Sequence, residues 1–324
     1  MLPSRLIDVY GPDQLAEIQQ YTQPVSPPLS AEEVLEDPSI LQEVEIIFGS
    51  WGMPVLDPEL LSHATSLKAI FYGAGTVRSF MTEESFEHGI LLTNAQEANA
   101  VPVAEYCVST ILFSLKLGFR HLRSLHREKH WHRETDQIEG CYEANVGLIS
   151  LGSIGRKTLK LLRSFNLRPL VYSTSLTVDK ASQHGAELVG LEEIFARCSV
   201  ISLHTPELPD TRKMIKAEHF RKMKPNATFI NTARGGGVDQ VGMITALRER
   251  PDITAILDVL DPEPPEDGDA IFDLPNVFIT PHIAGSLGNE RRRLGQTAID
   301  ECKRYLSGLP LQYEVKRQDL LRMA

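Results

Sequence analysis

The stretch VGLISLGSIG, Val146–Gly155, combines a short apolar run with a glycine-containing turn. The apolar half is typical of a buried β-strand. The turn follows the Gly-x-Gly-x-x-Gly spacing of dinucleotide-binding turns at two of three positions, Gly152 and Gly155, whereas Ser150 occupies the first. Taken alone, this match is weak, so the rest of the chain decides whether the turn binds a nucleotide.

Five further β-rich runs follow this stretch, and an amphipathic helical segment separates each run from the next. Their starts lie about 22 to 30 residues apart, which is the size of a βα unit. Several runs are apolar on both faces, as parallel strands covered by helices are. The six runs are VGLISLG, PLVYS, SVISLHT, ATFINTA, TAILDVL and NVFITPHI. They predict an α/β fold with a doubly wound parallel sheet, the Rossmann arrangement.

The N-terminal part shows a second and smaller αβ pattern. Its strand candidates are RLIDVY, VEIIFGSW, LKAIFYGAG and ILLTN, and its helix candidates are PDQLAEIQQY and DPELLSHATS. A long helix is predicted to begin near Val101, and the chain returns near Ser286 before a C-terminal helix. We therefore predict a discontinuous, flavodoxin-like αβ domain formed by residues 1–100 and 287–324, and a Rossmann domain formed by residues 101–286.

The composition restricts the class of protein. The 324 residues carry a formal net charge of -10, which disfavours nucleic acid as a partner because nucleic-acid-binding surfaces are basic. Residues 1–20 lack the basic and apolar regions of a secretory signal peptide. The apolar run AVPVAEYCVSTILFSLKLGF contains Glu105 and Lys116, so we interpret it as a buried helix and expect no membrane partner.

Four cysteines are scattered singly, without a C-x-x-C pair, which indicates reduced thiols and a cytoplasmic protein. They are Cys107, Cys141, Cys198 and Cys302. His126 and His130 have the helical spacing of a metal-binding pair and lie close to His121 and His132 in the sequence. No carboxylate-rich shell accompanies these histidines, so no metal is expected.

Three side chains with complementary chemistry follow strands of the predicted sheet, where ligands of open α/β sheets bind. Arg234 can hold a carboxylate through two parallel hydrogen bonds. His282 can move a proton near neutral pH, and Glu263 would orient the imidazole and favour its protonated form. Each residue also has a structural interpretation: a salt-bridged arginine in a glycine-rich turn, a structural histidine and an exposed acid. Together they predict a site that binds a 2-keto acid and protonates its carbonyl oxygen as a hydride arrives.

Six elements, read in order, resemble the D-2-hydroxyacid dehydrogenase family, which includes phosphoglycerate, glycerate and D-lactate dehydrogenases and hydroxypyruvate reductases. They are NAVPVAEY, VGLISLGSIGR, LHTPELPDTRKMI, INTARGGGVD, LDVLDPEPP and ITPHIAG. The resemblance implies that Arg234, Glu263 and His282 carry the chemistry and that Asp258 contacts the nicotinamide carboxamide. It further implies a split substrate-binding domain, a hinged cleft and a homodimer built on the nucleotide-binding domain.

The expected cofactor contacts lie in the strand-end turns of the nucleotide-binding domain. They are Gly152, Ser153, Ile154, Gly155, Ser173, His204, Thr205, Pro206, Thr211, Thr232, Ala233, Arg234, Asp258, His282 and Gly285. The expected substrate contacts combine the loop YGAGTVRSF of the smaller domain with two of the catalytic residues. They are Ala74, Gly75, Thr76, Arg78, Arg234 and His282.

Two stretches depart from the family pattern in addition to Ser150. In YGAGTVRSF, Val77 and Arg78 replace a polar-acidic turn, so Arg78 either binds a second anionic group of the substrate or faces solvent. In PLVYSTSLTVDK, Ser173 and its neighbours occupy the region where an acid normally binds the adenosine ribose. An acid there selects NAD and an arginine selects NADP. With neither present, we expect NAD or NADP to bind with weak discrimination, and NAD is the family default.

The leading hypothesis is an NAD(P)-dependent 2-hydroxyacid dehydrogenase that works as a 2-keto-acid reductase. The altered GTVRSF loop also suits a bulkier substrate. The alternative from another class is a nucleotide-sensing dimeric scaffold of the corepressor type with little turnover. The complete set of Arg234, Glu263 and His282 favours catalysis, because a scaffold need not keep all three.

Overall fold

The structure is a computed structural model that describes residues 7–131, 135 and 137–322. The chain divides into two compact units. The first unit comprises Met1–Asn99 and Ser286–Ala324, and the second comprises Ala100–Gly285.

All ten strands of the described chain are short. In chain order they are β1 (Ile46–Gly49), β2 (Ala69–Tyr72), β3 (Leu91–Asn94), β4 (Asn145–Ile149), β5 (Arg168–Tyr172), β6 (Glu187–Leu188), β7 (Val200–Leu203), β8 (Thr228–Asn231), β9 (Thr254–Leu257) and β10 (Val277–Ile279).

The α-helices precede, separate and follow these strands. They are α1 (Pro12–Tyr21), α2 (Ala31–Glu36), α3 (Pro58–His63), α4 (Glu83–Glu87), α5 (Gln96–Leu115), α6 (Gly118–Glu128), α7 (Ser153–Leu162), α8 (Val178–Gln183), α9 (Leu191–Arg197), α10 (Ala217–Lys222), α11 (Gln240–Glu249) and α12 (Arg291–Leu306). Short 3-10 helices cover Pro38–Glu43, Pro209–Thr211, Gly235–Gly237, Ala270–Asp273, Gly288–Glu290 and Arg317–Arg322.

The first unit is built on a three-stranded parallel sheet in the order β1-β2-β3. The central strand β2 is buried along its whole length. Ala298, Ile299 and Cys302 of α12 join Phe71 of β2 in one apolar cluster. The side chain of Asp57 accepts a hydrogen bond from the Leu60 N–H and so caps the start of α3, where the sequence Asp-Pro predicts a helix.

The prediction of a strand at RLIDVY is wrong for the part that the structure describes. Residues 7–9 are helical, and Arg5 and Leu6 lie outside the described residues. Val9 and Tyr10 are buried in the apolar cluster that contains Phe71, and the Tyr10 hydroxyl donates a hydrogen bond to the Gly49 carbonyl over 2.9 Å. These residues therefore join the core through their side chains, without adding a strand to the sheet.

The second unit contains a seven-stranded parallel sheet in the order β10-β9-β8-β7-β4-β5-β6. All six predicted runs form strands, which confirms the doubly wound α/β fold. The additional strand β6 has two residues, Glu187 and Leu188, which pair with Leu170 and Val171 of β5. Two residues are too few to produce a recognisable apolar alternation, so the sequence did not predict this strand.

The helix α5 contains the apolar run that the sequence predicted as a buried helix. It is the helix of the described chain whose length and mean hydropathy would suit a membrane span, and half of that window is buried inside the protein. Ile111 and Cys107 are fully buried. This burial is typical of a core helix, so its apolar character is explained by packing within the fold.

Candidate active site

The turn after β4 keeps the backbone shape that a glycine normally provides at its first position. Ser150 has φ 77°, in the left-handed region, and its N–H donates to the Tyr172 carbonyl of β5 over 2.7 Å. This conformation is unfavourable for a residue with a Cβ, by about 1–2 kcal/mol. The chain therefore makes the same turn with a serine at the cost of some backbone strain.

The two glycines of this turn have different surroundings. A Cβ on Gly155 would lie 2.5 Å from the Ser150 carbonyl oxygen, so the close contact between helix and turn requires glycine. A Cβ on Gly152 would meet nothing within 4 Å. Gly152 is also the N-cap of α7, a helix of ten residues that begins at Ser153. The N-terminus of such a helix attracts anions, so open space lies at the point where a phosphate would approach the Ser153 and Ile154 amides.

The segment after β5 carries hydroxyl groups without a carboxylate. The Ser173 and Ser175 hydroxyls lie 3.3 Å apart, and the Ser175 N–H also donates to the Ser173 hydroxyl. Asp179 and Lys180, the nearest charged residues in sequence, belong to the helix α8. The segment itself therefore contains neither the acid nor the arginine that selects between the two dinucleotides.

The loop after β7 is held against the turn after β4. The N–H of His204 and the hydroxyl of Thr205 both donate to the Ile149 carbonyl, over 2.9 and 3.5 Å. The hydroxyl of Thr211 donates to the Pro206 carbonyl over 2.6 Å. His204 is 7% exposed, and neither ring nitrogen has a hydrogen-bond partner among the described residues. Burial lowers the pKa of His204 to about 4, so its imidazole is neutral at physiological pH.

The loop after β8 presents Arg234 on a backbone fixed by Asn231. The Asn231 side chain accepts from the Ala233 N–H and donates to the Arg234 carbonyl, each over 3.0 Å. Gly235 follows directly, and a Cβ there would collide with the Leu260 backbone. The half-buried Arg234 donates to the Ala233 carbonyl over 2.7 Å and makes no ion pair with the described residues. The predicted cofactor contact Thr232 lies in the same loop, 7% exposed.

The predicted acid–base pair forms at the ends of β9 and β10. The Nδ1 atom of His282 lies 2.5 Å from Oε1 of Glu263, and both side chains are partly exposed. His282 has φ 53°, and its N–H donates to the carbonyls of Asp258 and Thr280, each over 3.0 Å. Because Nδ1 faces the carboxylate, the other ring nitrogen, Nε2, is left for a ligand.

Asp258 is buried behind His282, at 2% exposure. Its Oδ1 atom accepts from the Thr280 hydroxyl over 2.6 Å and from the Ile283 N–H over 2.8 Å, and its Oδ2 atom accepts from the Ala284 N–H over 2.9 Å. A carboxylate oxygen accepts about two hydrogen bonds, so Oδ2 retains room for one more donor. The predicted residue Gly285 follows this loop and is partly exposed.

The predicted substrate loop lies in the first unit, after β2. The Ala74 carbonyl accepts from the Ala95 N–H over 2.9 Å, and the Gly75 carbonyl accepts from the Asn94 side chain over 3.0 Å. Thr76 is partly exposed and its hydroxyl lies 3.5 Å from the Arg78 N–H. The Arg78 side chain is exposed.

The structure thus gathers most of the predicted residues at one edge of one sheet. Arg234, Asp258 and His282 follow β8, β9 and β10, which are neighbours in that sheet. The predicted substrate residues Ala74, Gly75, Thr76 and Arg78 belong to the other unit. The sequence did not predict the fixing roles of Asn231 and Thr280, although both stand inside the motifs INTARGGGVD and ITPHIAG. The described residues include no group of three or more His, Cys, Asp and Glu that could hold a metal ion, and His132 lies outside them.

Known proteins include relatives of this chain. Residues 109–284, more than half of the chain, match the family model described as "D-isomer specific 2-hydroxyacid dehydrogenase, NAD binding domain". The D-3-phosphoglycerate dehydrogenase of Methanocaldococcus jannaschii is 31% identical over 281 residues, which are 86% of this chain and 52% of the relative. That of Synechocystis is 27% identical over 315 residues, which are 97% of this chain and 55% of the relative. The chain therefore spans about half the length of these curated relatives.

The fold also matches solved structures. The D-isomer specific 2-hydroxyacid dehydrogenase from Lactobacillus delbrueckii ssp. bulgaricus, in its NAD-complexed form, superimposes with a TM-score of 0.78 at 20% identity. The match covers 94% of this chain and 97% of that protein. At this identity, the comparison concerns the fold alone.

The two glycines of the β4 turn should respond differently to alanine. Gly155→Ala forces a Cβ against the Ser150 carbonyl and should lower the free energy of unfolding by about 1–3 kcal/mol. Gly152→Ala should leave this free energy within about 0.5 kcal/mol and weaken NADH binding, because the methyl group would fill the open space through which a phosphate would approach the helix. Urea unfolding and NADH fluorescence titration measure the two effects. Equal loss of stability in both variants would contradict the distinction.

Proposed function

The chain belongs to the D-isomer specific 2-hydroxyacid dehydrogenase family, and from this we propose that it is an NAD-dependent oxidoreductase that interconverts a 2-hydroxy acid and a 2-keto acid. The observation that carries the proposal is the Glu263–His282 pair, 2.5 Å apart and on the same sheet edge as Arg234. The alternative of a dimeric nucleotide-sensing scaffold is not favoured, since the relatives are dehydrogenases and Arg234, Glu263 and His282 are all present.

The reaction needs a hydride, a proton and a group that binds the substrate carboxylate. The bound nicotinamide supplies the hydride. Arg234 would bind the carboxylate of the keto acid through two of its N–H groups and polarise the neighbouring carbonyl. Nε2 of His282 would donate the proton to the carbonyl oxygen while Glu263 accepts from Nδ1. In the reverse direction, neutral His282 would accept the proton of the hydroxyl group.

The residues of the second unit fit a dinucleotide. The open position at Gly152 and the amides of Ser153 and Ile154 suit the pyrophosphate. The unused acceptor capacity of Asp258 Oδ2 suits a carboxamide N–H. The other contacts that the family resemblance implies would come from the loops after β5, β7, β8 and β10. They are Thr205, Pro206, Thr211, Thr232 and Ala233, together with His204, Ser173 and Gly285.

In the first unit, the loop Gly73–Arg78 is proposed to bind the substrate. A Cβ on Gly75 would meet nothing within 4 Å, so this backbone is accessible to a small anion. Ala74, Gly75 and Thr76 would offer backbone N–H groups to the carboxylate. The exposed Arg78 would hold a second anionic group of the substrate. We expect the cytoplasm as the location, because four free cysteines are typical of a reducing compartment.

Turnover and two site variants test the function. Purified protein with NADH and glyoxylate, hydroxypyruvate or phenylpyruvate should show loss of 340 nm absorbance. His282→Asn keeps a residue that tolerates the left-handed backbone and should lower kcat by about 100- to 10,000-fold. Arg234→Lys should raise KM for the keto acid, because an ammonium group cannot replace the guanidinium fork.

The exposed His88→Asn and Arg248→Lys serve as matched controls and should retain wild-type kinetics. Tight NADH binding without turnover of any keto acid would overturn the enzymatic function. Unchanged kcat in His282→Asn would overturn its role in proton transfer.

We also propose that the site accepts both NADH and NADPH, because the segment Ser173–Thr177 contains no carboxylate that would repel a 2′-phosphate. Ser173→Asp should lower kcat/KM for NADPH by about tenfold or more and leave that for NADH within about threefold. The neutral Ser173→Asn controls for the change of shape. Steady-state kinetics with both cofactors would contradict the proposal if the wild type already rejects NADPH.

A homodimer through the second unit is proposed from its exposed apolar side chains. The described part of residues 113–142, from the end of α5 through α6, exposes several large ones: Phe113, Leu122, Trp131 and Tyr142. Trp131 is 82% exposed. Tryptophan is rarely so exposed unless its side chain contacts a partner. Leu122→Glu should convert the dimer to a monomer in sedimentation velocity, whereas Val241→Glu, at a 77% exposed position of α11, should not. A monomeric wild-type chain would refute this surface.

A further inference from the structure

A chain of hydrogen bonds connects α5 to the loop that carries His282. The loop is fixed on both sides of the histidine by one carboxylate: Asp258 accepts from the Thr280 hydroxyl before His282, and from the Ile283 and Ala284 N–H groups after it. Asp258 is 2% exposed, so water does not compete for these bonds.

This fixing is needed because His282 has an unfavourable backbone conformation. Its φ of 53° lies in the left-handed region, where a side chain with a Cβ is strained. Such strain persists only where surrounding contacts determine the conformation. The three bonds to Asp258 and the two bonds from the His282 N–H provide those contacts.

The direction of the hydrogen bonds follows from the number of protons. Thr280 has one hydroxyl proton and gives it to the Asp258 carboxylate over 2.6 Å. The Tyr106 hydroxyl of α5, 3.1 Å from the Thr280 oxygen, must therefore donate to Thr280. Burial raises the pKa of Tyr106, so the phenol keeps the proton that it donates.

We propose that Tyr106 and Thr280 are positioning residues that hold His282 in its proton-donating geometry through Asp258. The proposal rests on the proposed function, in which His282 moves the proton. Donation from Tyr106 polarises the Thr280 hydroxyl and strengthens its bond to Asp258. If Oδ2 of Asp258 also accepts from the carboxamide, one carboxylate would align both the nicotinamide and the acid.

Two substitutions that remove a hydroxyl group and one conservative variant test the hydrogen bonds from Tyr106 to Asp258. Tyr106→Phe removes only the terminal donor and should lower kcat by about threefold to tenfold. Thr280→Val removes the hydroxyl and should lower kcat at least as much, whereas Thr280→Ser keeps the hydroxyl and should restore kcat to within about twofold. The assay uses NADH and whichever of glyoxylate, hydroxypyruvate and phenylpyruvate the wild type reduces fastest. KM for that acid should stay within about twofold, since Arg234 is unchanged.

A second measurement is independent of turnover. Amide hydrogen exchange of a peptide that covers residues 280–285 should be faster in Tyr106→Phe and Thr280→Val and normal in Thr280→Ser. Tyr21→Phe, at a half-exposed tyrosine of the first unit, is the matched control and should change neither kcat nor the amide exchange of residues 280–285.

The outcomes separate the two proposals. Wild-type kcat and exchange in Tyr106→Phe would overturn the positioning role, even if Thr280→Val failed to fold. If Thr280→Ser restored neither kcat nor the amide exchange, the positioning of His282 would not depend on the hydroxyl group of residue 280. A wild type without turnover would overturn the proposed function instead, and faster exchange in the variants would still support the fixing of the loop.

Discussion

The parallel pairing of β4 with β5 on one side and β7 on the other is the constraint on which the site depends. Because successive strands leave β4 in opposite directions, β4 and β7 form the switch point of the sheet, and open α/β sheets bind ligands outside the carboxyl ends of the strands at such a point. The turn Ser150–Gly155 lies at this point, and the helix α7 begins there. The neighbouring strands β8, β9 and β10 then place the guanidinium, the buried carboxylate and the imidazole along the same edge. Sheet order therefore places the turn after β4 and the side chains of Arg234, Asp258 and His282 along one edge of the sheet.

Much of this order could be predicted from the sequence, because six apolar runs at the spacing of βα units leave few alternatives. Two features of the fold differ from the prediction, the strand β6 and the run RLIDVY. The strand β6 is two residues long and exists only because β5 offers an edge for pairing. The run RLIDVY has the apolar content of a strand, but Val9 and Tyr10 bury their side chains from a helical turn. In both cases tertiary contacts outweigh local propensity.

In the candidate site, too, the identities of the residues could be predicted from the sequence, whereas some of their contacts could not. The residue types of Arg234, Glu263 and His282 and their places after strands could be read from the motifs, and the structure brings Glu263 and His282 together. The hydrogen bond between Tyr106 and Thr280 joins residues 174 positions apart, and no periodicity or spacing predicts such a contact. Likewise, the sequence showed that Ser150 replaces a glycine, but only the structure shows that the backbone keeps the left-handed turn.

The charge distribution around Arg234 adds an argument for an anionic ligand. The protein carries a net charge of -10, and some arginines of the second unit pair with carboxylates, as Arg197 does with Glu187 and Arg221 with Glu249, whereas the partly buried Arg123 donates to the Pro275 carbonyl. Arg234 is half-buried in the same acidic chain, yet its guanidinium contacts only a backbone carbonyl among the described residues. Partial burial of a guanidinium without a carboxylate is costly. In the proposed function, the carboxylate of the substrate would provide this missing partner, and the hydrogen bonds of Asn231 hold the backbone of Arg234 in place.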